Sequence, residues 1–254
     1  MKKILSTLVL SAAMSTIVSA DMVRLEMGVG AWNPEPSGTI TYEDNTGASG
    51  IYKTDGIDKT KMYAWLLIKH PIPIIPNLRL EYVDINDNGL VNGKFKDFET
   101  GPFGTTASLE LKQYDIIPYY NLLDNTFWMT VDLGLDLKVI DSTYSANNVT
   151  IFGKGTGNYT DSKIIAIPLV YGRARVEIPG TGLGLESDLK YITYDGSTVY
   201  DLRAKVDYTF DLDVIKPGIE IGYRTQKFDI KSDDEKTKMD MDFSGIYAGI
   251  TLRY

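Results

Sequence analysis

Between Phe127 and Ile140 the chain alternates without a break: Phe127, Met129, Val131, Leu133, Leu135, Leu137 and Val139 stand against Thr130, Asp132, Gly134, Asp136 and Lys138. Only an extended strand sorts such a sequence onto two opposite faces, one greasy and one polar. The period recurs at 200–210, where Tyr200, Leu202, Ala204, Val206, Tyr208 and Phe210 oppose Asp201, Arg203, Lys205, Asp207 and Thr209. It recurs again at 22–32, with Val23, Leu25, Met27, Val29 and Ala31 against Arg24, Glu26, Gly28 and Gly30. Applied to the whole chain, this period predicts strands near 22–32, 61–70, 78–86, 105–121, 126–140, 162–178, 183–194, 199–210, 218–229 and 240–254. In the second and sixth, both faces carry apolar residues. Pro168 in the sixth and Pro118 in the fourth each remove a ladder donor, so each belongs near a strand end or a bulge. The class is all-β.

The connections alternate in length. Those after odd strands are mostly long (33–60, 87–104, 141–161 and 230–239, with 195–198 the short exception), and those after even strands are compact (71–77, 122–125, 179–182 and 211–217). The last strand runs to the end of the sequence, with Ile246, Ala248, Ile250, Leu252 and the final Tyr254 on one face. A strand carried to a terminal aromatic resembles the C-terminal signature of Gram-negative outer-membrane β-barrels. The whole chain resembles the small eight- to twelve-stranded barrels of that membrane. It is most similar to a group of exported barrels with a Leu-Leu-Asp-Asn type turn before an Asp-Leu-Gly-Leu strand, here Leu122 to Asn125 and Asp132 to Leu135. The resemblance implies an antiparallel up-and-down barrel of about ten strands (eight or twelve being the alternatives), with long loops outside and tight turns in the periplasm. It implies lipid, lipopolysaccharide and the barrel-assembly machinery as partners, with Ile250, Leu252 and Tyr254 as the assembly signal. It carries no substrate.

The beginning of the chain agrees. Lys2 and Lys3, an apolar run from Ile4 to Val18 and the small-x-small step Val18-Ser19-Ala20 read as a secretory signal peptide cleaved before Asp21; an uncleaved anchor is the other reading. Residues 21–254 then form one barrel domain. No later segment reaches the roughly 18 continuous apolar residues of a membrane helix, so the exported chain enters a membrane only as a closed barrel. Without Lys2 and Lys3, the 26 basic residues become 24 against 34 acidic ones, a net charge of about −10 at ordinary pKa values. That gives no electrostatic case for nucleic acid.

Aromatic residues on the apolar face gather toward strand ends: Phe127, Tyr208, Phe210 and Tyr254 at one end, Tyr82, Tyr191, Tyr200 and Tyr223 at the other. Such a pair of interfacial girdles puts the apolar face outside, against lipid. The polar face then lines the lumen with Arg24, Glu26, Arg79, Glu81, Glu110, Lys112, Asp132, Asp136, Lys138, Arg173, Arg175, Glu177, Glu186, Asp188, Lys190, Asp201, Arg203, Lys205, Asp207, Glu220, Arg224 and Arg253. Acids and bases balance, as a confined lumen requires if each charge is to find a partner.

Little in the sequence speaks for catalysis. The single histidine, His70, falls at the periplasmic end of a strand beside Pro71, away from the outer leaflet where the barrel enzymes of this membrane work. No serine sits in a Gly-x-Ser-x-Gly elbow. Residues 84–89 copy the first half of a calcium loop, but Phe95 stands where its bidentate glutamate belongs, so no metal and no cofactor are expected. A sealed structural or surface barrel is the leading expectation. A narrow channel is the second, and a barrel enzyme or a soluble ligand-binding barrel the less favoured.

Overall fold

A computed structural model describes residues 23–254 except 58, 73, 213 and 233–235. The segment read as a signal peptide lies outside the described residues, as does the acidic cluster at 233–235. The strands are β1 Arg24–Glu43, β2 Ser49–Thr54, β3 Lys61–Lys69, β4 Asn77–Gly93, β5 Phe98–Glu99, β6 Thr105–Thr126, β7 Met129–Ile151, β8 Gly155–Glu177, β9 Leu183–Tyr194, β10 Ser197–Thr209, β11 Lys216–Lys231 and β12 Thr237–Arg253. All pairings are antiparallel, and β12 returns to β1 along a register from Glu26↔Arg253 to Tyr42↔Thr237. The result is a closed ten-strand barrel with two short additions. In one addition, β2 stands on top of β3 between the upper parts of β1 and β4; in the other, β5 continues the column of β6 beside β7.

All ten expected strands form, and several run farther at the loop end than the sequence period predicts. β1 extends to Glu43, β4 to Gly93 and β7 to Ile151, and β8 begins at Gly155, so most of the expected long loops are a raised wall. The reason lies in a chemical inversion along each strand. On β4, Leu80 and Tyr82 face out while Arg79 and Glu81 face in; a few residues higher, Asp84, Asn86 and Asn88 face out while Val83 and Ile85 face in. β6, β7, β11 and β12 invert at the same level, with Leu111, Ile140, Phe228 and Phe243 turned inward. Below the inversion the wall stands in lipid and its outer face must be apolar. Above it the wall stands in water, so the outer face turns polar and the inner face becomes an ordinary core. Hydroxyl pairs there line the outer surface, Thr143 with Ser162 at 3.0 Å and Ser145 with Thr160 at 3.1 Å.

The inversion corrects one strand outright. Glu110 and Lys112, expected in the lumen, lie on the outer face and pair with each other at 3.0 Å; Gln113 and Asp115 point inward instead. It also disposes of the calcium-loop resemblance. Residues 84–89 are mid-strand, where Asp84 and Asp87 point to opposite faces and cannot wrap one ion. Pro168 lies on β8 opposite Leu137 of β7 and above Val170, where pairing with β9 begins, so only one of its sides belongs to a ladder.

The Leu122 to Asn125 segment is not the turn. β6 continues through register shifts to Thr126, and the chain reverses at Phe127 and Trp128. Both have positive φ, 52° and 64°, the signature of a two-residue type I′ turn. The opposite hairpin between β9 and β10 makes the same turn with Asp195 and Gly196, φ 47° and 72°. Asp-Gly adopts that backbone readily, whereas each bulky residue in the left-handed region costs about 1–2 kcal/mol. The strained pair lies at the tip of the turn, at the end of the barrel opposite the raised wall.

Candidate functional site

The lumen at the level of the lipid belt is filled by charged side chains from the inward positions of the strands, stacked in three tiers. The lowest gathers the chain ends. Arg253 reaches Asp207 at 3.0 Å and Glu26 at 3.3 Å, and Arg24 holds Glu26 at 2.5 Å and Glu177 at 3.3 Å. Arg175 grips Asp207 through two nitrogens at 2.6 and 2.9 Å, and Arg173 bridges Asp132 and Glu186 at 2.7 Å each. Arginine suits these places because its planar fork binds two carboxylates at once.

The middle tier crosses the barrel. Lys205 meets Glu220 at 2.8 Å, and Glu220 also accepts from the Tyr63 hydroxyl at 2.7 Å and the Trp65 indole at 3.1 Å. Arg79 and Lys205 lie over the Trp65 ring, 5.1 and 4.8 Å from its centroid. Arg203 joins Asp188 at 2.8 Å and Glu81 at 2.5 Å. In the upper tier Lys190 bonds Glu81 and Asp115, Lys138 meets Asp115 at 2.7 Å and Asp201 at 3.4 Å, and Arg224 meets Asp201 at 2.7 Å. Gln226 donates to Asp201 at 2.8 Å and is paired with Gln113. Above this tier the lumen is closed a second time by the inward apolar residues of the raised wall, with Phe228 edge-on to Phe243 at 6.3 Å.

The two plugs leave little room. The void among Tyr63, Trp65, Arg79, Asp188, Arg203 and Tyr247 is about 10 Å³, scarcely a single water. A larger hollow of about 690 Å³ opens at the periplasmic mouth, around Arg24, Glu177, Lys216 and Tyr254. It ends on the lowest tier.

The lumen candidates read from the sequence on β1, β4 and β7 to β12 therefore all face inward, and the structure links all but one of them. The exception is Asp136, 1% exposed with no hydrogen-bond partner for either oxygen. Sequence reasoning missed Asp115, Gln113, Gln226, Tyr63 and Trp65. A count of charges passes over glutamine, tyrosine and tryptophan, and apolar residues on both faces of β3 and β6 hide which face is inner. His70 lies at the periplasmic turn, where its Nδ1 accepts from the Ile72 amide at 3.2 Å and its Nε2 lies 3.1 Å from the Pro76 carbonyl. Among the described residues no cluster of metal-ligating side chains is present. Ile250, Leu252 and Tyr254 lie on the outer face, and the Tyr254 backbone pairs with Leu25.

Comparison of the sequence with known protein families and with curated proteins finds no match. Solved structures do match. The outer-membrane protease OmpT of Escherichia coli is 10% identical with a TM-score of 0.55, over 94% of this chain and 100% of that one. The translocator domain of the autotransporter NalP from Neisseria meningitidis is 9% identical with a TM-score of 0.46, over 100% of this chain and 95% of that one. At 10% identity the likeness to OmpT is one of fold alone. An apolar outer belt, an ion-paired lumen and closure of β12 onto β1 make this chain an outer-membrane β-barrel.

Proposed function

We propose that this barrel is a sealed, non-catalytic scaffold that holds a raised wall above the outer leaflet for contact at the cell surface. The observation that carries the reading is the double closure of the lumen, ion pairs below and an apolar core above. Conduction would require both to rearrange. Breaking a buried pair by withdrawing one partner costs about 3–5 kcal/mol, and every tier holds several. The engagement of His70 in a periplasmic turn supports the absence of a histidine base at the surface end. The outer face of the raised wall carries Lys112, Lys227 and Lys238 among Glu110, Asp229 and Asp240, a mixed surface suited to the phosphates and sugars of lipopolysaccharide. The outward Ile250, Leu252 and Tyr254 are the positions the assembly machinery reads.

Planar-bilayer recording of the purified protein tests the sealed barrel. A silent trace is expected, and reproducible open steps would replace this reading with that of a narrow channel.

A further inference from the structure

The periplasmic turns are apolar where turns that stand in water are ordinarily polar. Ile74 is 86% exposed, Phe127 86% and Trp128 58%, and Leu123, Val214 and Ile215 are exposed beside them. They come from three separate hairpins on one rim of the barrel, and so form a ring broken at the β8–β9 turn, where Gly180 and Thr181 stand. Exposed apolar surface of that extent marks a contact with lipid or another protein.

We propose that this ring is submerged in the inner leaflet, so that the bilayer covers the tips of the turns as well as the strands above them. Three observations favour lipid over a periplasmic protein. The ring is continuous with the lipid-facing belt: Tyr120, an outward residue of β6, donates its hydroxyl to the Ile74 carbonyl at 2.9 Å and ties that turn to the belt. Among the described residues, charges near the tips are held in pairs, Lys69 with Asp124 and Lys216 with Asp211 at 2.8 Å. Lysines at this depth can reach the headgroups from below an apolar stem. Finally, the Phe127-Trp128 turn keeps two large aromatics in a strained backbone where Asn-Gly would be relaxed. Transfer of both rings from water into the leaflet offsets that strain, as water around them would not.

Three tryptophans and no cysteine make the depth measurable. Trp32 and Trp65 are buried in the lumen, 0% and 6% exposed, so Trp128 is the one at the surface. The folded protein is placed in phosphatidylcholine vesicles, and the emission of the Trp128→Phe variant is subtracted. The Trp128 signal should be blue-shifted, quenched more by lipid brominated at carbons about 6–7 than about 11–12 along the chain, and untouched by iodide on both faces. Ile74→Cys and Val214→Cys, each carrying a polarity-sensitive dye, should report an apolar setting. Asp195→Cys on the opposite hairpin should report water. Iodide quenching of Trp128, or a water-like reading from the dye on either the Ile74→Cys or the Val214→Cys variant, would overturn the proposal and leave the ring as a protein-docking surface.

Discussion

The Arg203 guanidinium on β10 crosses the lumen to the Glu81 carboxylate on β4, at 2.5 Å, while also holding Asp188 on its neighbouring strand. The chain separates Arg203 and Glu81 by 122 residues, so this bond braces two walls that the ladder alone does not connect. Arg203→Met should lower stability by about 3–5 kcal/mol, because it strands the buried Asp188, while Glu81 keeps Arg79 and Lys190. Adding Asp188→Leu to that variant should recover most of the loss, since two apolar side chains of similar volume replace the ion pair and Glu81 keeps its other partners. Urea unfolding of the three proteins in lipid vesicles measures both steps. Equal stability of the single variant and the parent would show that the brace carries no energy.

Asp132 and Asp136 share the inner face of β7, with Gly134 between them, and both are fully buried. Asp132 accepts from Arg173 at 2.7 Å and from Asn121 at 2.5 Å, whereas both oxygens of Asp136 are without partners. The same substitution should therefore act in opposite directions. Asp132→Leu is expected to destabilise by about 1–3 kcal/mol, because it takes one of two carboxylates from Arg173 and the acceptor from Asn121. Asp136→Leu is expected to stabilise by about 1–3 kcal/mol by removing an unpaired buried polar group. Unfolding midpoints read in parallel decide the matter; a matched loss in both would mean that Asp136 is paired in the folded protein.

Asp87 lies five residues beyond Tyr82 toward the rim, above the aromatic girdle, and receives the hydroxyls of Tyr52 at 2.6 Å and Thr54 at 2.7 Å. Burial pushes its carboxyl above the ordinary range, against the two hydrogen bonds. A carboxyl whose folded pKa is raised contributes stability below its unfolded pKa, and that contribution is lost as pH rises through the folded value. The seam between β2 and β4 should accordingly tighten on mild acidification from neutral pH. Asp44 in the next turn behaves in the opposite sense: the Thr46 side chain, the Thr46 amide and Lys94 hold its carboxyl low, so its support is present above the ordinary carboxylate pKa and is lost as pH falls below it. Hydrogen exchange of Ser49–Thr54, corrected for intrinsic rates, should slow as pH falls through the range just above the ordinary carboxylate pKa of about 4. Asp87→Asn should abolish the dependence; a trend that survives it would assign the effect elsewhere.

Where the wall stands in lipid, the barrel was legible in the sequence because two solvents impose two faces. Leu133, Leu135 and Leu137 against Asp132, Asp136 and Lys138 admit no other sorting. The raised wall was not legible, since its outward Thr143 and Ser145 look like loop residues and its inward Ile140 and Val149 look like strays. On β6 the period never failed, but its chemistry inverted above Tyr114. A reading that assumed one lipid level along the strand therefore placed Glu110 and Lys112 inside. The individual bonds were beyond a single sequence: which of several carboxylates Lys190 selects depends on strand tilt and register, which pattern does not encode.

Tyr254 ends the chain on the outer face beside β1, its amide and carbonyl both bonded to Leu25 at 2.9 and 3.1 Å. Its backbone is therefore part of the seam that closes the barrel, and its ring is exposed on the outer face. A charge at this position keeps the ladder but loses the aromatic. On the lipid face an Asp costs less than the ~2–4 kcal/mol of an Arg or Lys at the midplane, too little to unfold a completed barrel. A large drop in assembled protein would thus point to recognition before folding rather than to stability after it. Tyr254→Asp is expected to reduce the heat-modifiable, membrane-extracted form severalfold in cells, while the same variant refolded from urea into vesicles should reach a yield close to that of the parent. Tyr254→Phe should behave as the parent in both. Equal loss in cells and in vesicles would assign the tyrosine to the seam itself, and normal membrane levels of Tyr254→Asp would remove it from the assembly signal.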